Sequence, residues 1–217
     1  MPLYRNMNEM DVWGPGDAPC TEKKVFDYVK TAAKAMGGRT QEAFRLLEEA
    51  HLYDISTSMD KSGLSFELYL TDYYEPYLFV SGTGTRYDCL TFAHEFGHFA
   101  NGFYTESDLI FGASDNDLSE LQSQGLEMIF TAFYDDIFGK YAGKVEDFVL
   151  MDMLMGVVDG AMYDEFQQRV YAEEELSAER VCEIFGRFRS SAPSTASVEQ
   201  STSPVMLMRS TPRLTES

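Results

Sequence analysis

Residues 21–50 alternate between apolar and polar positions with the three-to-four-residue spacing of an amphipathic helix. In "TEKKVFDYVKTAAKAM" (residues 21–36), Val25, Val29 and Met36 belong to one apolar face, and the following "GG" is a typical helix stop. "TQEAFRLLEEA" (residues 40–50) repeats the pattern. The spacing therefore predicts two consecutive helices at the start of the chain.

Shorter segments rich in aromatic and branched residues come next, and turn residues separate them. They read "LYDIS", "LSFELYL" and "PYLFV", which is typical of strands. Helical spacing then returns over residues 85–101, 118–138, 145–174 and 177–188. We predict a mainly α fold with a small antiparallel β-sheet beside the helix that begins near residue 85.

The composition changes at residue 190. Ser, Thr and Pro make up more than half of the remaining sequence, which shows no periodicity and offers little to bury. We therefore predict one domain over residues 1–189 and a disordered tail over residues 190–217.

The charge balance narrows the classes of partner. The 217 residues include 36 acids against 17 Lys and Arg, a net charge of −19, which disfavours nucleic acid as a partner. Three widely spaced cysteines indicate no disulfide framework. The chain shows no secretory signal and no apolar run of membrane-spanning length, so we expect a cytoplasmic protein without a membrane partner.

Two of the three histidines lie four residues apart in "TFAHEFGHFANG" (residues 91–102). On a helix, His94 and His98 can present two imidazoles to one metal ion, and Glu95 points toward water activated by that ion. Two metal ligands and a carboxylate beside the metal-bound water are what metal-assisted peptide hydrolysis requires. The alternative is a helix that carries two histidines by chance.

A zinc site needs a third protein ligand, and no histidine follows His98. "DLSELQSQGLEMIF" offers Glu120 and Glu127, which share one helix face because they are seven residues apart. Glu120 could be the ligand, and Glu127 could accept the outer N–H of a ligand histidine. Alternatively, Glu120 closes a capping box that starts at Asp117, and Glu127 is a solvated acid.

The segments "RYDCLTFAHEFGHF" (86–99) and "ELQSQGLE" (120–127) together resemble the zinc oligopeptidases of the thimet oligopeptidase and oligoendopeptidase F group. A weaker similarity extends over residues 20 to 189. The resemblance implies a helical zincin-type catalytic domain that binds one Zn²⁺ through His94, His98 and Glu120. It further implies Glu95 as general base and Glu127 as the partner of a ligand histidine.

The resemblance also implies a zinc metalloendopeptidase that cleaves short oligopeptides internally. The family places a histidine and tyrosines after the zinc site, whereas here the last tyrosine is Tyr171 and no histidine follows His98. Substrate-binding residues are therefore left unassigned. Three alternatives stay open: a non-catalytic zinc-binding remnant or one segment of a split enzyme that needs a complementing chain, a metal-free helical module, and a divalent ion other than zinc.

Overall fold

A computed structural model describes residues 18–58, 60–61, 63–105 and 116–191, with the side chains of 116–118 and 188–191 left aside. The described part is mainly helical with one small sheet. Its helices are α1 (Glu22–Met36), α2 (Gly38–Glu49), α3 (Asp88–Tyr104), α4 (Asn116–Phe130), α5 (Tyr134–Phe138), α6 (Ala142–Tyr171) and α7 (Ala178–Ser191). Its strands are β1 (Tyr53–Asp54), β2 (Phe66–Leu70) and β3 (Glu75–Phe79).

The first helix forms as its sequence predicts. The Thr21 side chain accepts a hydrogen bond from the backbone N–H of Lys24 at 3.3 Å, which caps the N-terminus. Gly37, at φ 67°, ends the helix in a backbone conformation that favours glycine. The apolar face is buried, as Val25 and Val29 show.

The sheet has the order β1-β3-β2, with β3 in the centre. β2 and β3 pair antiparallel, with Phe66 opposite Phe79, as predicted. β1 instead pairs parallel to β3, with Tyr53 opposite Leu78. The prediction of a purely antiparallel sheet was wrong for this strand, because the apolar pattern of a strand does not specify which neighbour it joins.

Helix α3 is the most buried helix of the core and packs against α1, α2, α4, β2 and β3. Phe92, Phe96 and Phe99 are at most 1% exposed. The Phe96 ring meets Phe44 of α2 edge-on, with centroids 5.2 Å apart, a favoured aromatic geometry. The helix that carries both histidines is therefore rigidly held beside the sheet.

Helix α4 ends earlier than the sequence pattern suggests. A 3₁₀ turn, Thr131–Phe133, separates it from α5, although the apolar spacing predicted one helix to residue 138. Both segments bury aromatic side chains, Phe130 and Tyr134 among them. Apolar burial thus continues through a change in helix type, so the spacing of apolar residues in the sequence did not reveal where α4 ends.

The described residues fall into two compact units, the first within Met1–Gly160 and the second within Ala161–Ser217. The histidines and the sheet belong to the first unit. The assignment of residues 1–189 to one domain stays a prediction, and the predicted tail lies outside the described residues from position 192 onward. None of the described helices is both long and apolar enough to cross a membrane.

Candidate metal centre

Helix α3 presents His94 and His98 on one face, one turn apart, as their spacing predicted. Their rings meet edge-on with centroids 5.0 Å apart. Both imidazoles are partly buried, with side-chain exposures of 27% and 13%. The two rings are therefore held close together with limited access to solvent.

Helix α4 brings the Glu120 carboxylate to the Nε2 atoms of both histidines. Glu120 Oε2 lies 3.5 Å from His94 Nε2, and Glu120 Oε1 lies 3.6 Å from His98 Nε2. The three candidate ligand atoms all lie within 4.8 Å of one another. Two atoms each about 2 Å from a tetrahedral ion are about 3.3 Å apart, so the separations between Glu120 and each Nε2 atom are close to those of a zinc site.

The outer nitrogen of each histidine has its own partner on α4. His94 Nδ1 lies 3.2 Å from Glu127 Oε2, and His98 Nδ1 lies 2.9 Å from Ser119 Oγ. These contacts fix the rings and leave both Nε2 atoms facing Glu120. Sequence reasoning suggested Glu127 for such a role and missed Ser119, whose position beside Glu120 was the available signal.

The close approach of α3 to α4 depends on Gly97. A Cβ atom at this position would lie 2.6 Å from Ser123 Cα, so no other residue fits without moving a helix. Ser123 is fully buried, and its hydroxyl donates to Glu120, whose backbone carbonyl oxygen and Oε2 each lie 3.0 Å away. The same crossing therefore brings the helices together and orients the third candidate ligand.

Whether Glu120 also closes a capping box depends on the Asp117 side chain, which lies outside the described side chains. The Glu120 carboxylate, for its part, contacts both histidines and Ser123. Its exposure of 51% leaves room for a further ligand at the open side.

Glu95 lies beside the candidate ligands and is only 8% exposed. Burial raises the pKa of its carboxyl to about 7, with His94 lowering it and Glu120 raising it further. A carboxyl that titrates near neutral pH can exchange a proton in either direction at that pH. This property suits the role of general base predicted for Glu95.

A second carboxyl, Glu67 of β2, faces α3 close to Glu95. Burial, and then the charge of Glu95, raise its pKa to about 7. Its Oε1 atom is buried without a hydrogen-bond partner among the described residues. Gly102 makes room for it, since a Cβ there would lie 3.0 Å from that oxygen. No sequence motif indicated Glu67.

The two histidines differ in their electrostatics. Burial lowers the pKa of His94, but the hydrogen bond with Glu127 and the surrounding carboxylates outweigh it, so the net shift is upward. Burial lowers the pKa of His98, and the raising effect of Glu120 does not offset it. His98 therefore favours the neutral form that binds metal, whereas a proton competes for His94.

No protein-family model matches the chain, and no curated protein matches it. Several solved structures, in contrast, are similar to this chain. A structure assigned as an oligoendopeptidase F is 23% identical with a TM-score of 0.70, covering 80% of this chain and 32% of its own length. A second, from Bacillus anthracis, is 22% identical with a TM-score of 0.68, covering 81% of this chain and 33% of its own.

A third solved structure, PZ peptidase A with an inhibitor, is 25% identical over 70% of this chain, with a TM-score of 0.60. The match covers 28% of that protein, so this chain spans about a third of the length of the structures it resembles. The chain has the helical fold of the oligoendopeptidase F structures, which confirms the resemblance drawn from its sequence.

Proposed function

We propose that this chain is a zinc-dependent metalloendopeptidase that hydrolyses internal bonds of short oligopeptides. The observation that carries the proposal is the convergence of His94, His98 and Glu120, with their ligand atoms within 4.8 Å of one another. The fold shared with oligoendopeptidase F structures supports the class of reaction. Short peptides as substrates come from the same resemblance.

Each residue of the candidate site has its own role in the proposed reaction. His94, His98 and Glu120 would hold the ion, and Glu127 and Ser119 orient the two imidazoles. When bound, zinc supplies Lewis acidity for a peptide carbonyl and lowers the pKa of water. Glu95 accepts a proton from the attacking water and delivers it to the leaving amine.

A second candidate function follows from the surface of the first unit. Large apolar side chains are exposed on α4 and α6, namely Leu121, Ile129, Leu150, Leu154 and Val157. Such residues mark interaction surfaces when they are grouped. The alternative proposal is therefore a zinc-binding segment of a split oligopeptidase, whose complementing chain covers these faces and supplies the groups that stabilise the oxyanion.

Cleavage of internally quenched peptides by the zinc-loaded chain tests both proposals. Glu95→Gln is the test variant, and Glu49→Gln, an exposed residue 61% accessible at its side chain, is the matched control. Cleavage by wild type and Glu49→Gln but not by Glu95→Gln supports the endopeptidase. Bound zinc without cleavage supports the split enzyme.

The metal itself is tested by elemental analysis after purification with zinc, manganese and cobalt all present, because two imidazoles and a carboxylate also suit other divalent ions. We expect one zinc per chain, lost in His98→Ala. A preparation of folded wild type without stoichiometric metal would refute both proposals.

A further inference from the structure

Glu67 is an acidic residue on the inner face of the sheet, where packing against a helix favours apolar side chains. It lies opposite Leu78 of β3, which is fully buried, whereas its neighbours Phe66 and Leu68 are 41% and 54% exposed on the outer face. The Oε1 atom of Glu67 is buried and has no hydrogen-bond partner among the described residues. Such an atom calls for an explanation, because leaving it unpaired costs stability.

The carboxyl of Glu67 lies beside the candidate metal centre. A Cβ atom at Gly102 would lie 3.0 Å from Glu67 Oε1, so the carboxyl covers that glycine. His94, His98 and Gly102 follow one another at four-residue intervals on α3, which places them in one row on the same face. Helix neighbours at this spacing are about 5–6 Å apart. The carboxyl of Glu67 is therefore about one helical turn beyond His98, on the face that carries the candidate ligands.

The elements around the site carry almost no positive charge. Residues 62–139, which include β2, β3 and α3 to α5, contain thirteen Asp and Glu but only one Lys or Arg, which is Arg86. The Arg86 guanidinium donates to the backbone oxygen of Ile137 at 2.6 Å. Across the described part of the chain, no Lys or Arg pairs with Glu67. A cationic partner for this carboxyl has to come from a bound molecule.

The charge of the site favours a bound cation. The site already contains the carboxyls of Glu95, Glu120 and Glu127. When ionised together with Glu67, they carry more negative charge than a bound divalent ion carries positive. A cation beside Glu67 would supply charge-assisted hydrogen bonds, which are about twice as strong as neutral ones. In a peptide, the cationic groups are the Lys and Arg side chains and the free amino terminus.

We propose that Glu67 selects peptides that carry a cationic group, a Lys or Arg side chain or a free amino terminus, close to the bond that is cleaved. Its carboxylate accepts hydrogen bonds from that group while the peptide lies across the candidate metal centre. Glu67 is thus a specificity-determining residue. The inference rests on the peptidase function proposed above and names the class of its substrates.

Peptide binding tests the inference without requiring turnover. The probes are short alanine peptides with both termini blocked and an uncharged fluorophore, in which a single lysine is moved along the sequence. A second series carries norleucine, which has a similar stem without the charge, and one further alanine peptide has a free amino terminus. Fluorescence anisotropy gives the dissociation constants on the full zinc-loaded chain with Glu95→Gln, so that bound peptides stay intact.

We expect the best lysine peptide to bind about tenfold more tightly than its norleucine counterpart, the lower end for a hydrogen bond to a charged group. Adding Glu67→Gln, which keeps the shape of the side chain and removes its charge, should abolish this difference. Asp72→Asn is the matched control, because it removes an acid from the exposed turn between β2 and β3. This control should leave the lysine preference unchanged.

A preference for the free amino terminus alone, lost in Glu67→Gln, would support the inference and identify that terminus as the cation. Equal affinity for the lysine, norleucine and free-terminus peptides would overturn it, as would failure of every peptide to bind. So would an equal loss for all peptides in Glu67→Gln. In that last case Glu67 acts on the fold alone, as an inward-pointing charge that keeps an edge strand from pairing with other chains.

Cleavage measurements separate this inference from the proposed function. If the zinc-loaded chain with its native Glu95 cleaves lysine and norleucine peptides with equal kcat/KM, and binding shows no preference for a cation, only the role of Glu67 is refuted. If wild type binds no zinc, the proposed metal centre is refuted, whereas a lysine preference that depends on Glu67 would still support the inference. Where cleavage occurs, we expect the preference in KM more than in kcat, because it comes from a group that binds the peptide.

Discussion

Replacing Gly97 with alanine tests whether the close crossing of α3 and α4 holds the candidate ligands together. The new Cβ would lie 2.6 Å from Ser123 Cα. Carbon atoms in contact normally lie about 3.5 to 4.0 Å apart, so the helices must separate by about 1 Å. Glu120 would move with α4, away from His94 and His98.

The expected free-energy change is the sum of two opposing effects. Overpacking costs about 1–3 kcal/mol. Alanine in place of a helical glycine recovers about 1 kcal/mol of helix propensity. We therefore expect Gly97→Ala to lower the free energy of unfolding of the apo chain by about 0–2 kcal/mol. Zinc affinity should fall about tenfold or more, because the ligands would be displaced.

Gly125→Ala is the matched control on the facing helix. Gly125 is exposed, and a Cβ there would have nothing within 4 Å. This variant should gain about 0.5–1 kcal/mol of stability and bind zinc as wild type does. Urea unfolding and chelator competition measure both quantities. Equal stabilisation by the two alanines, with unchanged zinc affinity in each, would refute the reasoning.

Three other perturbations have defined outcomes. Glu67→Gln removes a carboxyl whose folded pKa of about 7 exceeds its unfolded value of 4.5, so ionisation costs stability as the pH rises between them. Partial exposure reduces the effect, and the stability of the variant relative to wild type should rise by about 1–2 kcal/mol from pH 5 to pH 8 in urea unfolding. Ser123→Ala removes the hydroxyl that donates to Glu120 Oε2. Zinc affinity in the competition assay should fall several-fold, and the free energy of unfolding should fall by about 1 kcal/mol. An unchanged zinc affinity would contradict a role for this contact in orienting Glu120. EDTA should lower the free energy of unfolding by about 2.7 kcal/mol relative to free zinc at one hundred times Kd, and identical unfolding curves would speak against a resident metal.

The helices and the two histidines could be predicted because their signals are local. The spacing of Val25 and Val29 indicates one buried face, and the four-residue spacing of His94 and His98 places both on one side of α3. Glu120 required a motif in addition, since its distance from the histidines depends on how α4 returns. The parallel pairing of β1 with β3 had no local signal, because strands distant in sequence choose their partners through the tertiary fold.

The parts of the site that sequence reasoning missed are those set by contacts between elements. Ser119 and Ser123 look like ordinary helix residues until α3 lies against them at Gly97. Glu67 belongs to a strand, and only the packing of β2 on α3 brings it near Glu95. Such residues carry no recognisable spacing, because their partners are far away along the chain.

The placement of the candidate ligands on two helices would give a bound ion a second role, as a cross-link between those helices. His98 and Glu120 are 22 positions apart, on α3 and α4 respectively. An ion bound by both residues would close the loop between them for as long as it stays bound. For comparison, a disulfide that closes a loop of this length lowers the entropy of the unfolded chain by an amount worth about 3 kcal/mol. Loading the site would therefore tie together the two helices that carry it, so metal supply would control the folded population of this chain as well as its chemistry.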